Sequence, residues 1–122
     1  MTKEDKVLLL KDLCARLPYR TKVRRYRYTT PIDSIQSVEL LGLGWLEELY
    51  GEEAEFKPYL FPLSSMTEEQ SKVYHELIKG MFGTSALINF EVLTDFFNSN
   101  HLDYRGLIKM GLAIDATNLN IY

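Results

Sequence analysis

Across residues 1–17, apolar positions recur at spacings of three and four. Val7, Leu10, Leu13, Cys14 and Leu17 form one stripe while Lys6, Lys11, Asp12 and Arg16 face away, which predicts an amphipathic helix with Cys14 in its core face. Thr2 and Asp5 have the spacing of a capping box at its start, and Pro18 stops it because the ring blocks a helical hydrogen bond. The period then changes. Residues 19–30 are rich in β-formers, and alternation puts Lys22, Arg24, Tyr26 and Tyr28 on one face of a strand and Val23, Arg25 and Arg27 on the other. Neither face is cleanly apolar, which fits an edge strand or one whose arginine stems lie over tyrosine rings. A second extended segment is predicted over roughly 35–41. Residues 43–55 fit either a helical turn through Leu46, Leu49 and Tyr50 or a tight bend between strands near Gly42 and Gly44, and strands are favoured.

Residues 56–70, FKPYLFPLSSMTEEQ, separate this strand-rich part from a helical one. Pro58 and Pro62 stiffen a triplet, Tyr59-Leu60-Phe61, that is too apolar for a mobile loop, so Leu60 or Phe61 is expected to be buried between sheet and helices. Thr67 and Gln70 form a second capping box. Val73, Tyr74, Leu77, Ile78 and Met81 make the buried stripe of the helix that follows, with Gly80 as a left-handed terminator. A further helical run passes through Phe90, Leu93, Phe96 and Phe97 and closes at residues 98–100. Asp103 caps a short last helix through Leu107, Ile108 and Met110, ended by Gly111. The pattern is that of one α+β domain over residues 1–122: a helix at 1–17, a small antiparallel sheet of about three strands within 19–61, helices packed on it within 62–111, and an extended or frayed tail at 112–122.

Composition changes this picture little. With 122 residues, 46% of them hydrophobic and 25% charged, one core is the expectation, and the net charge of −3 names no nucleic-acid or membrane partner. A single cysteine excludes an internal disulfide and a cysteine-based zinc cluster, and fits a reducing, cytoplasmic setting. No export signal is apparent at the N-terminal end, and no apolar run is long enough for a membrane span. Charge is segregated, however. Six cations fall within residues 16–27, and seven acids with no Lys or Arg lie within 33–55, so antiparallel pairing of the two would bring opposite charges together across strands.

Few catalytic signatures remain to be weighed. Phosphate-loop, GxSxG, HExxH and calcium-loop patterns are missing, and His75 and His101 alone exclude a multi-histidine metal site within one chain, so no catalytic, cofactor or metal residue is assigned. The densest polar cluster is residues 98–105. His101 with Asp103 reads as an oriented acid–base pair, Tyr104 lies beside them, and Arg105 reads as an anion-binding group. The same residues also read as helix caps with Arg105 tied to a nearby acid, and this is the favoured reading. The second candidate is a partner surface over Tyr19, Arg20, Lys22, Arg24, Arg25, Tyr26, Arg27 and Tyr28. Its cations and rings suit single-stranded nucleic acid, and Tyr and Arg equally suit a protein interface.

Three stretches, TKEDKVLLLKDLCARLPY, FKPYLFPLSSMTEEQ and FFNSNHLDYRGLIKMGLAID, together resemble a family of small uncharacterised proteins of anaerobic gut bacteria and their phages or mobile elements. The resemblance implies a compact intracellular protein of prophage or mobile-element origin and carries over no site residue. The expected function is that of a non-enzymatic interaction or adaptor protein whose partner is another protein. Nucleic-acid binding through residues 20–28 is the alternative, and a small enzyme using His101, Asp103 and Arg105 the third.

Overall fold

A computed structural model describes residues 1–28, 32–42, 44–80 and 86–122, leaving the side chains of residues 86–89 outside the description. Its elements are α1 (Lys3–Ala15), β1 (Lys22–Arg27), β2 (Ile32–Ser37), α2 (Trp45–Tyr50), β3 (Ala54–Leu60), α3 (Glu68–Gly80), α4 (Ala86–Ser99) and β4 (Ile114–Asp115). The fold is α+β, with strand order β2-β1-β3-β4. β1 pairs antiparallel with β2 and β3, and the short β4 adds a parallel pairing to β3. No helix among the described residues is long and apolar enough to cross a membrane.

The α1 capping box forms, Thr2 Oγ1 accepting from Asp5 N–H while Asp5 accepts from Thr2 N–H. Its buried face differs from the expected stripe. Leu9, Asp12, Leu13 and Arg16 are buried, Val7 and Leu17 are each 40% exposed, and Cys14 is an exposed free thiol rather than a core residue. Residues 7–10 are apolar on consecutive positions, so the pattern alone left the rotation of the helix undecided. Burying Asp12 and Arg16 became possible because each supplies the other's charge.

Against one face of the sheet, α1 and α2 bring Leu9, Leu13, Trp45 and Leu49 onto Val23 and Phe56. The strands favoured for 43–55 are therefore corrected: residues 45–50 are helical, with Trp45, Glu48 and Leu49 buried at i, i+3 and i+4, and the following strand begins only at Ala54. β2 likewise lies earlier than expected, ending at Ser37, where Val38 starts a 3-10 turn. β1 is an interior strand, not an edge. It tolerates its arginines because Arg24 lies over the Tyr26 ring, 5.8 Å from the centroid, and the others find acids.

The apparent junction at 56–70 begins as interior strand. Leu60 is fully buried, as expected, and Phe61 partly so. Pro58 fits within β3 because β4 covers only Tyr59 and Leu60, leaving the chain at Pro58 with a neighbour on one side. Beyond it, Thr67 and Gln70 close their reciprocal cap at 3.0 and 3.1 Å, and α3 begins as predicted. Tyr74, Leu77 and Ile78 pack against Leu93 and Phe97 of α4, whereas Val73 is exposed and Met81 lies outside the described residues. Gly80 is the last helical residue and carries no positive φ, so the expected left-handed end does not occur there. The short last helix is corrected to a run of turns. Asp103 nevertheless caps it, accepting from Leu107 and Ile108 N–H at 2.8 and 2.9 Å, and Gly111 at φ 76° is left-handed as a terminator requires. The tail is docked rather than frayed: β4 lies within it, and the Tyr122 side chain returns to the sheet.

Candidate functional site

The basic segment divides between the two faces of the sheet. Val23, Arg25 and Arg27 point towards α1 and α2, where buried Glu48 receives both guanidinium groups: Arg25 forms a bidentate pair with it and Arg27 approaches at 3.1 Å. Lys22, Arg24, Tyr26 and Tyr28 lie on the opposite face. Cross-strand register sets Ile35 and Lys57 beside Arg24, and Asp33 and Glu55 beside Tyr26. None of Arg24, Tyr26, Ile35 and Lys57 belongs to a core cluster, and Tyr28 is 53% exposed. Tyr19 stands apart, its hydroxyl bonded to Asp95 of α4, and Arg20 is exposed at φ 54°.

Lys22 apart, the charged groups of the open face are paired within it. Arg24 grips Asp33 with two hydrogen bonds of 2.8 and 2.9 Å, reaching diagonally across the β1–β2 pair. These bonds hold the Asp33 carboxyl below its ordinary range. Partial burial pushes Glu55 upward, but hydrogen bonds from Lys57 and Tyr28 outweigh it and keep Glu55 low. Tyr26 and Tyr28 meet edge to face, ring centroids 5.5 Å apart. The result is an aromatic surface whose arginine is already engaged, and its acids come from β2 and β3. The expected charge pairing is thus present, although Glu48 acts from a helix rather than across strands.

The second candidate, the corner at 98–105, is built differently from the acid–base reading. His101 is left-handed at φ 56°. Its Nδ1 lies 3.1 Å from Thr21 Oγ1, and its ring stacks on Tyr122 with centroids 3.9 Å apart. Asp103 faces away, capping the turns at Leu107 and Ile108, so the His101–Asp103 pair does not form. Burial, with Arg16 nearby, lowers the His101 pKa to about 4, so the ring is neutral and weakly basic near pH 7.

Arg105 does meet an acid, and it is Asp12 on α1. Arg16 binds Asp12 through Nε and Nη2 at 2.8 and 3.1 Å and also donates to the Leu102 carbonyl at 2.7 Å; both side chains are 0% exposed. Arg105 Nε lies 3.2 Å from Asp12 Oδ1, near enough for an ion pair though not aligned for a hydrogen bond. Both guanidinium groups also lie near the Tyr104 ring, that of Arg16 5.5 Å and that of Arg105 4.9 Å from its centroid. This cluster fastens α1 to the 101–105 corner. Its sequence signal was the i, i+4 spacing of Asp12 and Arg16. Tyr122 had no such signal: its hydroxyl accepts from Lys22 N–H at 2.8 Å and donates to the Tyr59 carbonyl at 2.7 Å, closing the β1–β3 ladder where the strands part. Burial raises its pKa.

Among the described residues no three His, Cys, Asp or Glu side chains are placed to hold a metal ion. Compared with protein-family models, curated proteins and solved structures, the chain finds no match.

Proposed function

We propose that the protein is a non-enzymatic interaction module that binds another protein through the open face of its sheet. One observation carries this reading: Arg24, Tyr26, Tyr28 and Lys57 form an uncovered aromatic surface whose charges are matched by Asp33 and Glu55. Interfaces concentrate their energy in Tyr and Arg, and a guanidinium already fixed by a carboxylate loses little side-chain entropy on binding. Nucleic acid is disfavoured by the same pairing, because phosphate affinity rests on cations free to replace counterions. The single cysteine supports a reducing, intracellular setting, and prophage or mobile-element origin rests on the family resemblance alone.

The test has two arms. A photo-crosslinking amino acid at Tyr28 is expected to capture a protein from lysate, with capture lost in Tyr26→Ala, while the same group at exposed Lys72 on α3 captures nothing comparable. Labelled single-stranded and duplex oligonucleotides are expected to show no saturable anisotropy change at physiological salt. Oligonucleotide binding that weakens steeply with salt and is lost in Arg24→Ala would overturn the reading in favour of nucleic acid.

A further inference from the structure

The free edge of β2 offers a separate binding surface, for which the geometry points to a second copy of this chain. β2 is the outer strand of the sheet and six residues long. Exposed edges are ordinarily guarded by lysine, proline, a bulge or an inward charge. Ile32–Ser37, IDSIQS, has no lysine and no proline, and it pairs with β1 without interruption. Its one charge, Asp33, is bound by Arg24. Among the described residues no backbone hydrogen bond reaches residues 32–37 from outside the strand pairing. Ile35 is 52% exposed on the open face beside this edge.

Antiparallel self-pairing about Ile35 makes the edge complementary to itself. With Ile35 of both copies on a two-fold axis, the two isoleucines cover one another. Ser34 then meets Gln36, a hydroxyl against an amide, and Asp33 meets Ser37 of the other copy. Like charges are not opposed. Ser37 is also the direct neighbour of Lys22 on β1, so the register sets Lys22 of one copy, Ser37, and Asp33 of the other in one row. Adjacent strands are about 4.8 Å apart, so Lys22 and that Asp33 are about 10 Å apart at the backbone, a span the lysine stem crosses over the small serine. No ion pair engages Lys22 within its own chain among the described residues, whereas Arg24, Arg25, Arg27 and Lys57 each have an acid. Two symmetry-related Lys22–Asp33 pairs therefore flank the axis. The contact is isologous and uses up both β2 edges. The other edge, β4, has two residues and is too short to continue the array, so association stops at a dimer with one eight-stranded sheet.

Sedimentation equilibrium of the full chain is expected to show a monomer–dimer equilibrium. Ile35→Lys, which sets two like charges on the axis, is expected to abolish the dimer with an unchanged far-UV spectrum. Lys22→Glu is expected to weaken it about tenfold. In a Cys14→Ser background, Ile35→Cys is expected to form a disulfide-linked dimer under mild oxidation, because on-axis residues lie within disulfide reach, and Ser37→Cys is expected not to. A chain that stays monomeric at all concentrations, a dimer indifferent to Ile35→Lys, or equal cross-linking at positions 35 and 37 each overturns the proposal. Tyr26→Ala leaves this dimer intact, which separates its fate from that of the open-face reading.

Discussion

Removing the Asp12 carboxylate tests the feature on which the packing of α1 most depends. In Asp12→Ala, Arg16 keeps its bond to the Leu102 carbonyl but loses both carboxylate bonds, while remaining fully buried and with Nη1 already lacking a partner. Arg105 loses its ion contact as well. An uncompensated buried guanidinium costs about 3 to 5 kcal/mol, a large part of the roughly 5 to 15 kcal/mol that holds a domain folded. Replacing both partners removes the stranded charge, so Asp12→Leu combined with Arg16→Met is expected to fall within about 2 kcal/mol of the unmodified chain. With the single variants Asp12→Leu and Arg16→Met as the other two corners of the cycle, the coupling is then at least on the order of 3 kcal/mol. Urea denaturation followed by the fluorescence of Trp45, the sole tryptophan, measures it. A loss below about 1 kcal/mol for Asp12→Ala, or a double variant as unstable as the sum of the singles, would refute the reasoning.

Three further outcomes are expected. Tyr122→Phe deprives Lys22 N–H and the Tyr59 carbonyl of their shared partner and is expected to cost about 1 to 3 kcal/mol, with faster amide exchange at Lys22; unchanged exchange would mean the hydroxyl bridge is dispensable. His101 has a folded pKa of about 4 against an ordinary value of 6.5, so its contribution is fully present above pH 6.5 and is lost as pH falls towards 4. That loss is about 2 kcal/mol once solvent screening of a partly exposed ring is allowed for. His101→Asn, which tolerates the left-handed backbone, is expected to flatten the stability profile between pH 6.5 and 4.5, and an unaltered slope would count against the assignment. Glu48→Gln leaves Arg25 and Arg27 without a carboxylate and is expected to cost about 1 to 3 kcal/mol in urea denaturation; a neutral result would mean that water serves the two arginines as well.

Local chemistry was readable wherever neighbours along the chain decide the outcome. Both capping boxes satisfy their own donors within three residues, so Thr2 and Thr67 marked the starts of α1 and α3 unaided. Alternation separated Arg24 and Tyr26 from Arg25 and Arg27 because the pleat has a period of two whatever surrounds it. Asp103 as a cap and a buried residue at Leu60 or Phe61 followed from the same short-range rules. Residues 45–50 were misread because six residues are too few for periodicity to separate a helical turn from a bent strand, and the burial of Trp45 and Leu49 under α1 decides it.

The α+β class, the starts of α1 and α3, the facing of β1 and the presence of acids enough to neutralise its arginines were all legible along the chain. Tertiary packing settled the rest: which side of α1 turns inward, that Asp12 joins Arg16 to the distant Arg105, that Glu48 rather than a strand acid serves Arg25 and Arg27, and that Tyr122 completes the β1–β3 ladder. The reason is common to all four. A charged or polar group can be buried only where a partner stands at hydrogen-bonding distance, and partners far apart in the chain are brought to that distance by the fold alone.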